Sequence, residues 1–175
     1  MKDSFINKNF GRMYARKDAN MTTKFLAMRY SAHSIVHTAT FFSKGHEYEI
    51  NLQLVSHNNV NDSSLIFPNN YQFSQRGCWE VSFDLVDNIV RRTPFEPPPS
   101  GMINPHQVMR IVERAIFDHY TEFKSGMYCY CPESVMLERV YNATIDRKLG
   151  NGFTLERGLG PNRRGYVLRT PHCYS

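Results

Sequence analysis

Residues 104–169, NPHQVMRIVERAIFDHYTEFKSGMYCYCPESVMLERVYNATIDRKLGNGFTLERGLGPNRRGYVLR, read as helix, strand, helix and hairpin, and that order decides the fold. Asn104 is a good N-cap and Pro105 suits the first helical position, where no amide partner is needed. Val108, Ile111, Val112, Ala115, Ile116, His119 or Tyr120, and Phe123 then recur at helical spacing. Arg110, Glu113, Arg114, Asp118 and Glu122 fall opposite, which predicts a helix over 104–124. Met127-Tyr128-Cys129-Tyr130-Cys131 is short and strand-like, and Pro132-Glu133-Ser134 opens a second helix over 134–149. Its inward residues are Val135 or Leu137, Val140, Tyr141, Thr144, Ile145 and Leu149, with Lys148 in the last turn and Gly150 as the stop. Gly152–Arg157 and Gly165–Arg169 form two arms around a Gly/Pro/Asn turn.

Working backward, Arg91–Gly101 carries three consecutive prolines, which excludes helix and predicts a stiff extended crossover. Before it, Trp79, Val81, Phe83 and Leu85 alternate with Cys78, Glu80, Ser82 and Asp84, as in a strand with one buried face. Thr38–Phe42 leads through Ser43-Lys44-Gly45-His46 into a second arm, where Tyr48, Ile50, Leu52 and Leu54 share a face. The fold expected is α+β, a curved and mostly antiparallel sheet with two main helices, in the order β-β-β-α-β-α-β-β. Phe83, Val112, Ile116, Val140 and Ile145 are the expected core. Residues 1–30 read as a basic N-terminal arm and 31–175 as one domain.

At 175 residues and 41% apolar content, the chain can bury one real core. Its longest apolar runs fall far short of the roughly 20 residues that cross a bilayer, and the basic N-terminus lacks an apolar segment. The expectation is a soluble, cytoplasmic protein with no membrane partner. The formal charge of +5 is partly local. Lys2, Lys8, Arg12, Arg16, Lys17, Lys24 and Arg29 precede residue 30 against Asp3 and Asp18, and Arg157, Arg163, Arg164 and Arg169 cluster at the hairpin. Such patches attract phosphates or an acidic protein surface. In the arm, Phe5, Phe10, Tyr14 and Phe25 are spaced too irregularly for a helix stripe. Aromatic and arginine residues of this kind carry interface energy, so Phe5, Phe10, Arg12, Tyr14, Arg16, Lys17, Arg163 and Arg164 are the expected partner-binding residues.

The chain carries no complete catalytic signature. Cys129 and Cys131 point the same way on one strand and cannot readily bridge each other. With Cys173 and His172 they could be drawn into a zinc site, yet no second closely spaced pair exists, and buried reduced thiols with no metal are expected. His33 and His37 are read as surface residues. Cys78 could be a nucleophile only if the fold brought His106 or His119 to it. Glu80, Asp84 and Asp87 could form paired carboxylates, against which stands an ordinary solvated strand face. The glycines of Gly158-Leu159-Gly160-Pro161 and Arg163-Arg164-Gly165 match no phosphate-loop spacing and are read as turn residues.

The order of elements resembles the central and C-terminal parts of the GCN5-related N-acetyltransferase family. A strand at Met127–Cys131 leads to a helix bearing Asn142 and Ala143, then Leu149-Gly150-Asn151-Gly152-Phe153, then the strand Tyr166–Arg169. This looks like the family's asparagine–alanine, helix, glycine–phenylalanine ending. The resemblance implies acetyl-CoA as a cofactor, held by backbone amides of a Gln/Arg-x-x-Gly-x-Gly/Ala loop, and a tyrosine general acid that Tyr141 matches only loosely. Here that loop reads Pro99-Ser100-Gly101-Met102-Ile103-Asn104-Pro105-His106, with one glycine and a proline that removes an amide. No cofactor is therefore expected. The organisation is also similar to that of small tailed-phage proteins. The resulting expectation is a non-catalytic, acetyltransferase-like binding or structural protein with a protein partner. If phage-encoded, it would be a host-directed inhibitor or a virion component, in the host cytoplasm or the virion. The alternatives are an active acyl-CoA-dependent N-acyltransferase and a nucleic-acid-binding accessory protein.

Overall fold

A computed structural model describes residues 24–29, 35–98, 104–147 and 149–175. Its framework begins with a hairpin of β2 (Ile35–Ser43) and β3 (His46–Val55). Lys44 and Gly45 join the strands with φ of 49° and 81°. Two successive left-handed residues match the twist of the flanking strands, and Gly45 reaches that conformation without strain. β4 (Cys78–Leu85) pairs antiparallel with β3, setting Leu54 against Trp79, Leu52 against Val81, Ile50 against Phe83 and Tyr48 against Leu85. The alternation read in the sequence thus places both apolar sets on one face.

β4 turns directly into a short helix, α1 (Val86–Arg91), which the sequence reading did not anticipate. Val86, Ile89 and Val90 are β-branched and continue the strand-like composition, so no local propensity marks the change. Asp84 imposes it instead. Its carboxylate accepts from the Leu85 amide and the Asn88 side chain, each at 2.8 Å, and from the Phe95 amide at 2.7 Å. The long helix α2 (Pro105–Phe123) follows the proline-rich connection. Asn104 accepts from the Gln107 amide at 3.1 Å, and Lys124 closes the helix in the left-handed region. The chain then enters β5 (Met127–Tyr130), parallel to β4. α3 (Val135–Asp146) starts on a Ser134 cap, and β6 (Thr154–Arg157) and β7 (Tyr166–Arg169) complete the chain.

β7 inserts between β5 and β6, and a first strand, β1 (Leu26–Arg29), lies at the other edge, so the seven-stranded open sheet runs β1-β2-β3-β4-β5-β7-β6, with β4 and β5 as its parallel pair and antiparallel neighbours elsewhere. The class is α+β, as read. Three details differ. β1 (Leu26–Arg29) pairs with β2, so these residues belong to the sheet and precede the expected first strand. α3 ends at Asp146, three residues early. Of the expected core, Val112 is buried, whereas Phe83, Ile116, Val140 and Ile145 are half-buried. Two helices do not cover so wide a sheet, and a cavity beneath them is bordered by Ile116 and Ile145.

Two cores flank the sheet. On one face Ala39, Phe41, Tyr48, Ile50, Leu52, Trp79, Leu85 and Tyr128 meet Val108, Val112 and Ala115 of α2. On the other, Val55, Cys78, Met127, Cys129 and Val167 lie beneath Leu65 and Tyr71 of the β3–β4 connection and Cys173 of the C-terminus. A connection that looks like a polar loop in sequence therefore serves as a cover. Among the described residues no helix is long and apolar enough to cross a membrane.

Leu52 is fully buried at the centre of the helix-side core, whereas Phe42 on the other face of the hairpin is 64% exposed. Leu52→Ala should lose about 2–5 kcal/mol through lost transfer energy and the cavity left behind, and Phe42→Ala should stay within about half a kcal/mol. Denaturant unfolding of both variants checks this, and similar losses would mean the faces are misassigned.

Candidate functional site

Among the described residues, the catalytic and metal sites weighed from the sequence do not come together. Phe5, Phe10, Arg12, Tyr14, Arg16, Lys17 and His33 lie outside the described residues. Arg163 is exposed, while Arg164 is half-buried and faces Glu138 of α3 at 3.9 Å. Arg157 bonds Asp146 at 3.1 Å and Asn142 at 2.9 Å while stacking over the Tyr166 ring, and Arg169 pairs with Glu156. The hairpin arginines are thus largely matched by acids that sequence spacing could not place beside them. The glycines there make a close backbone crossing. Gly158 and Leu159 both donate to the Gly165 carbonyl, and a Cβ on Gly160 would sit 2.6 Å from the Gly165 nitrogen.

Cys78 cannot serve as a nucleophile with His119. It is fully buried in the opposite core, 3.8 Å from the Cys129 sulfur, with Cys173 in the same cluster. Burial and the neighbouring Cys78 push the Cys129 thiol well up, so Cys129 stays protonated. Among the described residues no three His, Cys, Asp or Glu side chains are grouped to hold a metal. Glu80 accepts from the amide and hydroxyl of Ser64, and Asp84 organises α1, so neither is set up for proton transfer.

His37 is a correction of a different kind. It is 6% exposed rather than on the surface, and its Nδ1 lies 2.9 Å from Nε2 of the fully buried His119. His119 Nδ1 lies 2.8 Å from the Tyr128 hydroxyl. Trp79 and Phe123 pack on both imidazoles, and the Phe25 ring meets His119 edge-on. If Tyr128 donates to His119 Nδ1, then Nε2–H donates to His37. If Tyr128 accepts, both bonds reverse. Either direction satisfies these three ring nitrogens with both rings neutral, whereas protonating both rings would set the Nδ1–H of His37 against the Nε2–H of His119. Burial lowers the affinity of His37 for a proton, against a weaker upward pull from Glu122. Burial and then His37 itself push His119 down to about 3. With no exposed edge, His119 is a positioning group for Tyr128 rather than a catalytic base.

Tyr128 also faces the feature that could bind something. Between α2, α3 and the sheet lies a cavity of about 100 Å³, bordered by Val81, Met109, Val112, Glu113, Ile116, Phe117, Tyr120, Tyr128, Tyr130, Tyr141, Ile145, Phe153 and Leu168. It sits where β4 and β5 part, since their pairing covers Cys78–Glu80 against Met127–Cys129 and stops there. Tyr130 stacks on Tyr166 and packs against Tyr141, each 5.1 Å between ring centres. Burial raises the phenols of Tyr128, Tyr130 and Tyr141 well above the ordinary tyrosine range, so they remain neutral hydroxyls. Among the described lining residues there is no His, Cys, Ser or Lys. The walls offer aromatic faces, phenolic donors and one carboxylate, a set suited to binding rather than to covalent chemistry. Sequence reasoning missed this site, although Tyr128 and Tyr130, two apart on a strand, already had to share a face. Comparison with protein-family models, with curated proteins and with solved structures gives no match.

The histidine pair has a consequence for stability. An unfolded imidazole titrates near 6.5, and folded His119 titrates at about 3. Between those values the unfolded chain holds more protons, so acid favours unfolding; above about pH 7 neither state is protonated and the full stability is present. One such ring loses up to about 1.4 kcal/mol for each pH unit below about 6.5. Urea unfolding between pH 8 and 4 should be flat at the alkaline end and fall steeply below about 6, and His119→Gln should make the acid limb shallower. An unchanged limb in that variant would count against the neutral pair.

Proposed function

We propose that this chain is a non-catalytic binding protein built on an acetyltransferase-like sheet that has given up the acetyl-CoA site. The sheet order and its parallel pair, parting after Glu80 and Cys129 beside a helix-covered pocket, support the likeness to that family. One observation carries the loss of cofactor. The family holds the pyrophosphate with amides at the start of the helix corresponding to α2. Here Pro105 supplies no amide, and the Gln107 amide is already taken by the Asn104 side chain and carbonyl. An anion at this helix end would meet a terminus whose donors are reduced in number and partly satisfied from within. The protein partner is assigned to the basic arm with Phe5, Phe10, Arg12, Tyr14, Arg16 and Lys17, together with Arg163 and Arg164. In a phage this would make the chain a host-directed inhibitor or a virion component.

A second reading, an active acyl-CoA-dependent N-acyltransferase, draws on the apolar pocket at the strand parting and on Tyr141 beside it. The nucleic-acid reading has less support, because Arg157, Arg164 and Arg169 are engaged with acids of the same domain. Calorimetry with acetyl-CoA and with free CoA separates the first two. The expected result is no binding tighter than about 1 mM for either. A micromolar dissociation constant for acetyl-CoA would overturn the binding-protein reading and restore the enzyme.

A further inference from the structure

The cavity between α2, α3 and the sheet contains a signal besides its shape. Tyr130 borders it and is 6% exposed, yet its hydroxyl has no hydrogen-bond partner among the described residues. A buried phenol left unsatisfied is unfavourable, and native proteins rarely keep one without a use. A phenylalanine would fill the same space between the Tyr141 and Tyr166 rings. By contrast, the neighbouring Tyr128 hydroxyl is satisfied by His119, and the Tyr166 hydroxyl by Glu138 and Asn142.

We infer that this cavity is a binding site for a small neutral molecule or side group with an apolar body and one hydrogen-bond acceptor, such as a carbonyl, which the Tyr130 hydroxyl recognises. The inference rests on the reading of the chain as a binding protein and names the chemistry of what its pocket holds. Three features set that chemistry. The walls are aromatic and aliphatic, so an ionised ligand would be desolvated with little in return. Glu113, the charged member of the described wall, is already engaged in interactions of its own. The phenol is held neutral by burial, which keeps its proton available to donate. The size follows from the volume. A cavity of about 150 Å³ accepts benzene with its six carbons, so 100 Å³ suits a body of about four non-hydrogen atoms.

Acetone, a three-carbon body with one carbonyl, is a probe of that size and chemistry, and ligand-observed NMR titration of the full chain reads its affinity. The expected result is saturable binding with a dissociation constant on the order of 1 mM, weakened about fivefold by Tyr130→Phe. Without ligand, Tyr130→Phe should raise the unfolding midpoint, because it removes a hydroxyl that has no partner. Val81→Phe and Ile145→Phe fill the cavity from the sheet and from α3, and each should abolish binding while a thermal melt reports that the domain is still folded. No saturable binding to the wild type overturns the inference. So does equal binding by Tyr130→Phe, a lowered midpoint in that variant, or retained binding in a folded cavity-filling variant. A titration with acetyl-CoA alongside keeps the two questions apart. Micromolar acetyl-CoA binding ends the binding-protein reading whatever acetone does, whereas absence of acetone binding alone leaves that reading intact.

Discussion

The four residues of β5, Met127–Tyr130, are all buried, and each joins parts of the molecule that would otherwise be separate. Met127 and Cys129 enter the core beneath the β3–β4 connection. Tyr128 enters the helix-side core and closes the His37–His119 chain. Tyr130 borders the cavity. The strand also ties the β1–β4 half of the sheet to the β7–β6 hairpin, parallel to β4 through three residue pairs and antiparallel to β7 through four. Side chains leaving a strand alternate between faces, so a single residue's slip in the register of β5 would exchange the two cores and strand both tyrosines in the wrong one. The depth of packing on both faces compensates for the short parallel pairing. Apolar burial at roughly 25 cal/mol per Å² exceeds what three ladder pairs contribute.

Much of this was legible in the chain. Period-two alternation over Tyr48–Leu54 and Trp79–Leu85 put the right residues on one face because sheet faces are a local property of the backbone. Asn104-Pro105 and Ser134 marked the helix starts because capping is also local. The failures were all non-local. α1 exists because Asp84 reaches forward to Asn88 and Phe95, and β1 because Leu26–Arg29 finds the β2 edge. His37 was misread because its partner lies 82 residues away, and no spacing rule connects them. The arginines of the hairpin looked like an exposed patch because the acids that answer Arg157 and Arg164 lie on α3. A pocket assembled from three helical and strand layers leaves no contiguous motif, which is why the candidate site was the least readable feature.

The site and the fold meet in one place, and that has a functional sense. A cavity where the parallel pair parts lets the sheet keep its hydrogen bonds below and present side chains above. The walls are held by elements whose own stability comes from elsewhere. Tyr128 is fixed by His119, which is fixed in turn by His37, Trp79 and Phe123, so that one wall of the pocket is braced by a neutral, fully packed network. The start of α2 is closed by its own Asn104 cap. Together these features describe a preorganised, mostly apolar pocket.

The central claim is that β5 makes one cooperative unit of the two halves of the sheet. Native-state amide hydrogen exchange measures this directly, because a strand that opens with its neighbours exchanges at their free energy, and an independent unit exchanges sooner. The account predicts that Met127–Tyr130, β7 and the paired residues of β3 and β4 exchange together, at the free energy of global unfolding. Exchange of β5, β7 and β6 as a separate unit, well below the protection of β3 and β4, would contradict it.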